Sequence, residues 1–207
     1  MLAKARRALA EDGVFSLARE GLFERRAALE VEIGSGKGDF IIERARALPD
    51  RNFLAVELAP TVFRWLELEC LRAGLSNLRA IRADGRTVVN LLLPAGSVAA
   101  FHIYFPDPWP KNRHSKHRLF SATFTAGLAR ALASDGVLYL ATDVQWYFAR
   151  IVGLLEEHGF IASGECFTGE RDNSFGRKFE LQRRAILKAS FRVAAAPLAA
   201  DDAAAAG

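Results

Sequence analysis

The chain has 207 residues, 51% hydrophobic and 25% charged, the size and make-up of one globular domain with a full core. Its net charge of +4 permits a polyanionic partner without requiring one, so that case rests on where the charge clusters. No apolar run reaches the roughly 18 residues of a membrane span, and no signal-peptide core follows the basic start Met1-Leu2-Ala3-Lys4-Ala5-Arg6-Arg7, so the expected setting is cytoplasmic with no membrane partner.

Residues 1–27 are basic and partly amphipathic and read as an arm or helix ahead of a folded domain over 28–193. A strand is expected over 28–33, running into a glycine cluster at 34–38, with a helix over 40–48 where apolar residues recur at helical spacing. A second strand follows at 52–57. The helix at 61–73 is closed by Gly74, suited to the left-handed position after a helix. A third strand (78–82), a short helix (86–93) and a fourth strand (98–105) come next. The pattern continues with a helix (119–133), a strand (136–141), a helix (145–158) and a strand (160–167). Residues 169–182 are polar and basic, hence a loop, and 185–193 is the last strand. Residues 194–207 are Ala-rich without a core pattern and read as a disordered tail. Strands alternating with helices predict an α/β fold with a mostly parallel, seven-stranded sheet and helices on both faces. The two late strands, with no helix between them, predict an antiparallel edge hairpin. Cys70 and Cys166 match no metal or redox spacing and read as small buried hydrophobes. His102, inside an apolar strand, reads as a core histidine and His158 as a helix-end residue.

The run Glu32-Ile33-Gly34-Ser35-Gly36-Lys37-Gly38 joins the first strand to the first helix, where glycine permits positive φ and close approach of a ligand. The spacing is G-x-G-x-G. A dinucleotide fingerprint would need glycine at 39, which is Asp39, and the Walker lysine pattern is absent. Glu57 ends the second strand about 20 residues on, where a carboxylate can take both hydroxyls of a ribose. Asp84 follows the third strand, where a carboxylate can accept an adenine amino group. Glu32 stands at the mouth of the loop, placed to meet an ammonium group. Three acids and few bases suit a ligand carrying cationic groups and no phosphate.

After the fourth strand comes Phe105-Pro106-Asp107-Pro108-Trp109-Pro110-Lys111. Its three prolines fix φ and remove donors, so this segment is neither helix interior nor central strand. It holds a carboxylate and an indole stiffly at a strand's carboxyl end, where open α/β sheets bind ligands. Residues 111–118 add Lys111, Arg113, Lys116, Arg118, His114 and His117 and no acid. A carboxylate, a stacking surface and a cationic fringe in one loop point to chemistry on a nucleobase within a polynucleotide.

The glycine loop with its acids resembles a class I, Rossmann-like S-adenosylmethionine-dependent methyltransferase. In that class the loop after the fourth strand usually reads Asp/Asn-Pro-Pro-aromatic; here it reads Asp107-Pro108-Trp109. The longer string from Phe105 to Lys116 resembles the bacterial-type tRNA (guanine-N7-)-methyltransferases. So do Glu32–Gly38, Asn52–Glu57, 75–79, and Ala141-Thr142-Asp143 with Tyr147 four residues on. The likeness runs in order from about residue 28 to 193. Three positions depart from it: Lys116-His117-Arg118 where the family usually has Lys-Arg-Arg, Arg177-Lys178-Phe179-Glu180 where it has Thr-Lys-Phe/Tyr-Glu, and Gly85 where it usually has Ala.

The resemblance implies methyl transfer from S-adenosylmethionine to N7 of a guanosine in the tRNA variable loop. It implies a cofactor set of Glu32, Gly34, Gly36, Gly38, Glu57, Asp84 and Asp107, with Asp107 also the catalytic carboxylate. Lys111, Asp143, Arg177, Lys178, Phe179 and Glu180 would hold the guanine. Arg113, His114, Lys116, His117 and Arg118 would hold the tRNA backbone, with Arg171, Arg183 and Arg184 in support. No metal and no obligatory protein partner are implied; the chain would act as a monomer or homodimer. Two alternatives stay open: a methyltransferase of another RNA or of a small molecule, and an RNA-binding protein on this fold without activity.

Overall fold

The computed structural model describes residues 22–165 and 185–194. The expected basic arm (1–27) and Ala-rich tail (194–207) therefore lie almost wholly outside the described residues, as do Cys166, Arg171, Arg177, Lys178, Phe179, Glu180, Arg183 and Arg184.

Seven strands form one sheet in the order β3-β2-β1-β4-β5-β7-β6. Strands β1 (Leu29–Ile33), β2 (Asn52–Glu57), β3 (Leu78–Arg82), β4 (Val98–Tyr104) and β5 (Leu132–Thr142) are mutually parallel. β7 (Leu187–Val193) lies antiparallel between β5 and the edge strand β6 (Phe160–Ala162). Helices α1 (Asp39–Ala47), α2 (Pro60–Ala73), α3 (Ala122–Ala131) and α4 (Gln145–Glu157) make the crossovers. The expected mixed sheet with its antiparallel hairpin is thus the observed one. The chain reverses strand order beside β1, and such a switch point opens a crevice at the carboxyl ends of the strands.

One core cluster joins Val31 and Ile33 of β1 to Phe101, Ile103, Phe124, Leu128 and Ile151; the other joins Phe40, Ile41 and Leu66 to Phe53, Ala55 and Tyr104. On β1, Leu-Glu-Val-Glu-Ile alternates as a half-solvated strand would, yet Glu30 and Glu32 are both buried. Glu30 is fully paired there. Arg44 of α1 holds both its oxygens, Arg51 adds a bond at 2.8 Å and His102 another at 2.9 Å. Burial alone would raise the Glu30 carboxyl, but the hydrogen bonds from His102 and Arg44 outweigh it and bring it down to about 2. Burial pulls His102 below its usual range against the pull of Glu30, so a neutral imidazole satisfies the site: Nε2–H donates to Glu30 and Nδ1 accepts from the Tyr104 hydroxyl at 2.9 Å. His102 also stacks on Tyr139 at 5.2 Å, a core histidine as expected.

Several boundaries differ from the sequence expectations. The short helix over 86–93 is one α-turn (Gly85–Thr87) followed by a π-turn (Val88–Leu92), closed by Leu93 N–H on the Val88 carbonyl at 3.0 Å. α3 begins at Ala122, not 119, because Ser121 Oγ caps it through the Phe124 N–H. β5 begins at Leu132 rather than 136, since Leu132 pairs with Val98 across a register shift. β4 stops at Tyr104 because Phe105 turns to φ +51°. β6 keeps only three of the residues expected over 160–167; residues 163–165 leave the sheet and 166–167 lie outside the described residues. Gly74 closes α2 at φ +63°, as expected.

Candidate active site

The five parallel strands deliver their carboxyl ends to one edge of the sheet. There the glycine turn after β1, Glu57 of β2, Asp84 after β3, the Asp107 loop after β4 and Asp143 after β5 stand side by side.

Gly34, Gly36 and Gly38 all have positive φ, between +57° and +90°. Four of the turn's donors are taken up by β2 and by the turn itself. Gly34 and Ser35 N–H both reach the Val56 carbonyl, at 2.8 and 3.0 Å, Gly38 N–H reaches the Ser35 carbonyl, and Gly36 N–H reaches Glu57 Oε2 at 3.0 Å. Four amides of the kind that cradle a phosphate in a P-loop are therefore already engaged here. Lys37 turns away and sets its ammonium 5.6 Å from the Trp65 ring of α2. A Cβ on Gly38 would come within 2.6 Å of Leu66, so the turn also packs closely on α2.

Acids line this turn. Glu32 is buried, and its Oε2 has no hydrogen-bond partner. Burial pushes its carboxyl up to about 8, opposed by Ser35 and aided by the charges of Asp39 and Glu57. An unpartnered buried carboxylate is costly unless a cationic ligand completes it. Glu57 Oε1 takes the Ala59 N–H at 2.8 Å, so each of its oxygens holds one backbone N–H and keeps a lone pair free for a further donor. Asp84 caps the following turn through Arg86 N–H at 2.8 Å and pairs with the Arg86 guanidinium through both oxygens. Hydrogen bonding from Arg86 holds the Asp84 carboxyl below its usual range. At Gly85 a Cβ would lie 2.4 Å from Ile33 Cγ2. The glycine that departs from the family's usual alanine thus lets the Asp84 turn approach the end of β1.

The Asp107 loop is bracketed by the only two non-glycine residues with positive φ among the described residues, Phe105 and Trp109, at +51° and +42°. Phe105 N–H bonds the Ala141 carbonyl at 2.7 Å, which fixes the loop's start beside the Asp143 turn. Asp107 is exposed. Trp109 is 37% exposed and packs against His114 and His117, at 5.8 and 5.2 Å between ring centres. Residues Asn112–His117 form a 3-10 helix. Lys111, Arg113 and Lys116 are exposed along it.

Arg118 departs from its expected place on the RNA backbone. It is buried, and its guanidinium donates to the Pro108 and Trp109 carbonyls beneath the loop. At the start of α4 the cap position is Val144, with no side-chain cap. Tyr147 is fully buried behind it. Burial raises its hydroxyl, opposed by the Phe120 backbone and Arg118 and aided by the Asp107 charge. Cys70, expected as a buried residue, is half-buried, and burial lifts its thiol to about 12.

Two site residues escaped the sequence reading. Trp146 is 44% exposed and lies 5.2 Å from the Arg118 guanidinium. Arg86 joins Asp84 to the Lys116 carbonyl at 3.1 Å, bridging the third-strand acid and the basic segment. The signal for Trp146 was its place three residues after Asp143. Nothing in the sequence marks Arg86 as a bridge.

A family model described as "Putative methyltransferase" matches residues 26–173. The chain belongs to this methyltransferase family. Among curated relatives, the tRNA (guanine-N(7)-)-methyltransferase of Levilactobacillus brevis is 39% identical over 69% of this chain and 66% of its own length. The protein of the same name from Leifsonia xyli subsp. xyli is 43% identical over 66% of this chain and 60% of its own. The chain thus spans less than two thirds of the length of these relatives. The crystal structure of the 16S rRNA methyltransferase KamB superimposes with a TM-score of 0.62, covering 86% of this chain and 94% of that one at 17% identity, a likeness of fold. No helix among the described residues is long and apolar enough to cross a membrane, and none of their His, Cys, Asp and Glu groups is placed to hold a metal ion.

Proposed function

We propose that this methyltransferase carries a methyl group from S-adenosylmethionine to N7 of a guanosine in tRNA, in the variable loop as the family resemblance implies. The observation that carries the cofactor is the buried Glu32 carboxyl, whose Oε2 has no partner, beside a glycine turn in which the amides of Gly34, Ser35, Gly36 and Gly38 are already bonded within the protein. That donor set fits a ligand with an ammonium group and no phosphate. Glu32 would hold the ammonium, Glu57 the ribose hydroxyls and Asp84 the adenine edge. S-adenosylmethionine supplies, when bound, a methyl group on an electrophilic sulfonium.

The substrate reading rests on the Asp107–Trp109 loop beside that turn and on the names of relatives about two fifths identical. Guanine N7 has an in-plane lone pair and no proton, so no residue has to act as a general base. The protein aligns, desolvates and supplies charge. Asp107 faces a purine that becomes cationic and can also accept from its N1–H and amino group. Lys111 donates toward O6, and Asp143 is a second acceptor at the amino edge. Arg177, Lys178, Phe179 and Glu180, outside the described residues, complete the base site in this reading. Trp109 offers a stacking face, and Arg113, His114, Lys116 and His117 meet the RNA backbone. The test is methyl transfer from labelled S-adenosylmethionine to bulk tRNA, with the product mapped. Label in 7-methylguanosine is the expected result; label in another base, or none, overturns the reading.

A further inference from the structure

The loop that carries Asp107 is short of hydrogen-bond donors. Pro106, Pro108 and Pro110 contribute carbonyls but no N–H. Its backbone is also held out of the ordinary regions, since Trp109 sits at φ +42°, where a bulky side chain crowds its own backbone. Such a turn persists only when its surroundings impose it.

Arg118 is the residue that does so. It is 8% exposed. Its Nε–H is shared between the Pro108 carbonyl at 3.1 Å and the Trp109 carbonyl at 3.2 Å, and its Nη2 donates to Trp109 at 2.9 Å. The guanidinium lies 5.2 Å from the centre of the Trp146 ring. Trp146 packs at 5.4 Å on Tyr147, which is wholly buried in α4. A chain of contacts therefore runs from Tyr147 of α4 through Trp146 and Arg118 to the carbonyls of Pro108 and Trp109. The far end of the segment is fixed too, by Arg118 N–H on the Ser115 carbonyl and by Arg86 on the Lys116 carbonyl, each at 3.1 Å.

We propose that Arg118 is a positioning residue for methyl transfer: from beneath the loop it supplies the donors the prolines lack, holds the left-handed turn at Trp109, and so fixes Asp107 and the indole toward the base. The inference rests on the methyl-transfer reading above. A planar fork reaches two neighbouring carbonyls at once, which a lysine ammonium cannot do with the same geometry. A phosphate contact would need the opposite arrangement, an exposed guanidinium with unspent donors, as Arg113 presents on the outer side.

The experiment compares wild type, Arg118→Lys and Arg118→Ala as full chains. Single-turnover methylation at saturating tRNA and cofactor is expected to fall about 10- to 100-fold in Arg118→Lys, the scale of a misplaced reacting group. Affinities for tRNA and cofactor should stay within about twofold, and the salt dependence of tRNA binding should keep its slope. An unchanged saturating rate overturns the proposal. So does a slope lowered by about one unit in Arg118→Ala at an unchanged rate, which makes Arg118 a phosphate contact. The lysine variant carries the test if the alanine variant does not fold. A second readout needs no activity. The chain has three tryptophans, and the indole signal of Trp109 in a 1H–15N spectrum is found by its loss in Trp109→Phe. That signal should shift or split in Arg118→Lys while Trp65 stays in place; an unmoved Trp109 signal overturns the clamp. If wild type transfers no methyl to tRNA, the functional reading fails and the indole spectrum alone decides the role of Arg118.

Discussion

Glu57 accepts the N–H of Gly36 at 3.0 Å, so the last residue of β2 fixes the glycine turn that follows β1. The same carboxylate takes the Ala59 N–H through its other oxygen, at 2.8 Å. A single acid thus shapes the turn and presents its remaining lone pairs to the crevice.

Glu57→Ala is expected to weaken S-adenosylmethionine binding by about 1–3 kcal/mol, the usual cost of losing charge-assisted acceptors. Glu57→Gln, which keeps one carbonyl oxygen, should fall between the two. Calorimetric titration measures this. An alanine variant that binds as tightly as wild type would remove Glu57 from the cofactor site.

Glu32 makes stability and binding depend on pH in opposite senses. Burial raises its carboxyl to about 8 in the folded chain from an ordinary value of 4.5. Between those values the folded state holds a proton that the unfolded state has released. Unfolding free energy therefore falls as pH rises through this window, by up to about 1.4 kcal/mol per pH unit from this one group. A cationic ligand favours the ionised carboxylate, so cofactor affinity should rise from pH 6 to 8 and binding should release a proton. Glu32→Gln should flatten both profiles. Denaturant unfolding across pH, with calorimetry in buffers of different ionisation enthalpy, checks the pair. A wild-type stability slope that survives in Glu32→Gln would assign the titration elsewhere.

The succession of strands and helices and the acids at the strand ends were legible because each follows from local pattern: apolar runs, glycines between strand and helix, a carboxylate where a strand stops. The burial of Glu30 was not. Leu29–Ile33 alternates as a half-solvated strand would, and only Arg44, Arg51 and His102, brought in from three other segments, make the buried charge of Glu30 tolerable. Arg118 misled for a related reason. Within a run of exposed cations its charge reads as another RNA contact, whereas the carbonyls of Pro108 and Trp109, in a loop short of N–H donors, hold it inward. The start of β5 at Leu132 depended on a non-local pairing with Val98, which no local pattern announces.

The exposed cations are expected to govern the salt dependence of tRNA binding. Replacing Arg113 and Lys116 together by Ala should flatten the slope of log K against log salt by about 1.4–1.8 units if each meets a phosphate. Cofactor affinity should hold, since neither side chain touches the glycine turn. Filter binding across a salt series gives the slope. An unchanged slope would place the RNA on another face.

Asp107→Asn separates chemistry from folding. The side chain is exposed, and the loop around it is fixed by prolines and by Arg118, so the fold and the shape of the loop should survive. What changes is charge. An amide cannot stabilise a cationic 7-methylguanine, and its NH2 opposes guanine donors where the carboxylate accepted them. Loss of a preorganised electrostatic group of this kind lowers the rate by roughly 10²–10³. Cofactor affinity should fall little, because asparagine keeps a carbonyl oxygen for the contact Asp107 would make and Glu32, Glu57 and Asp84 are untouched. Single-turnover methylation of tRNA, with melting temperature and cofactor affinity measured on the same preparation, makes the comparison. A well-folded Asp107→Asn that turns over near the wild-type rate would take the catalytic role from Asp107 and pass it to Asp143, the next carboxylate along the strand ends.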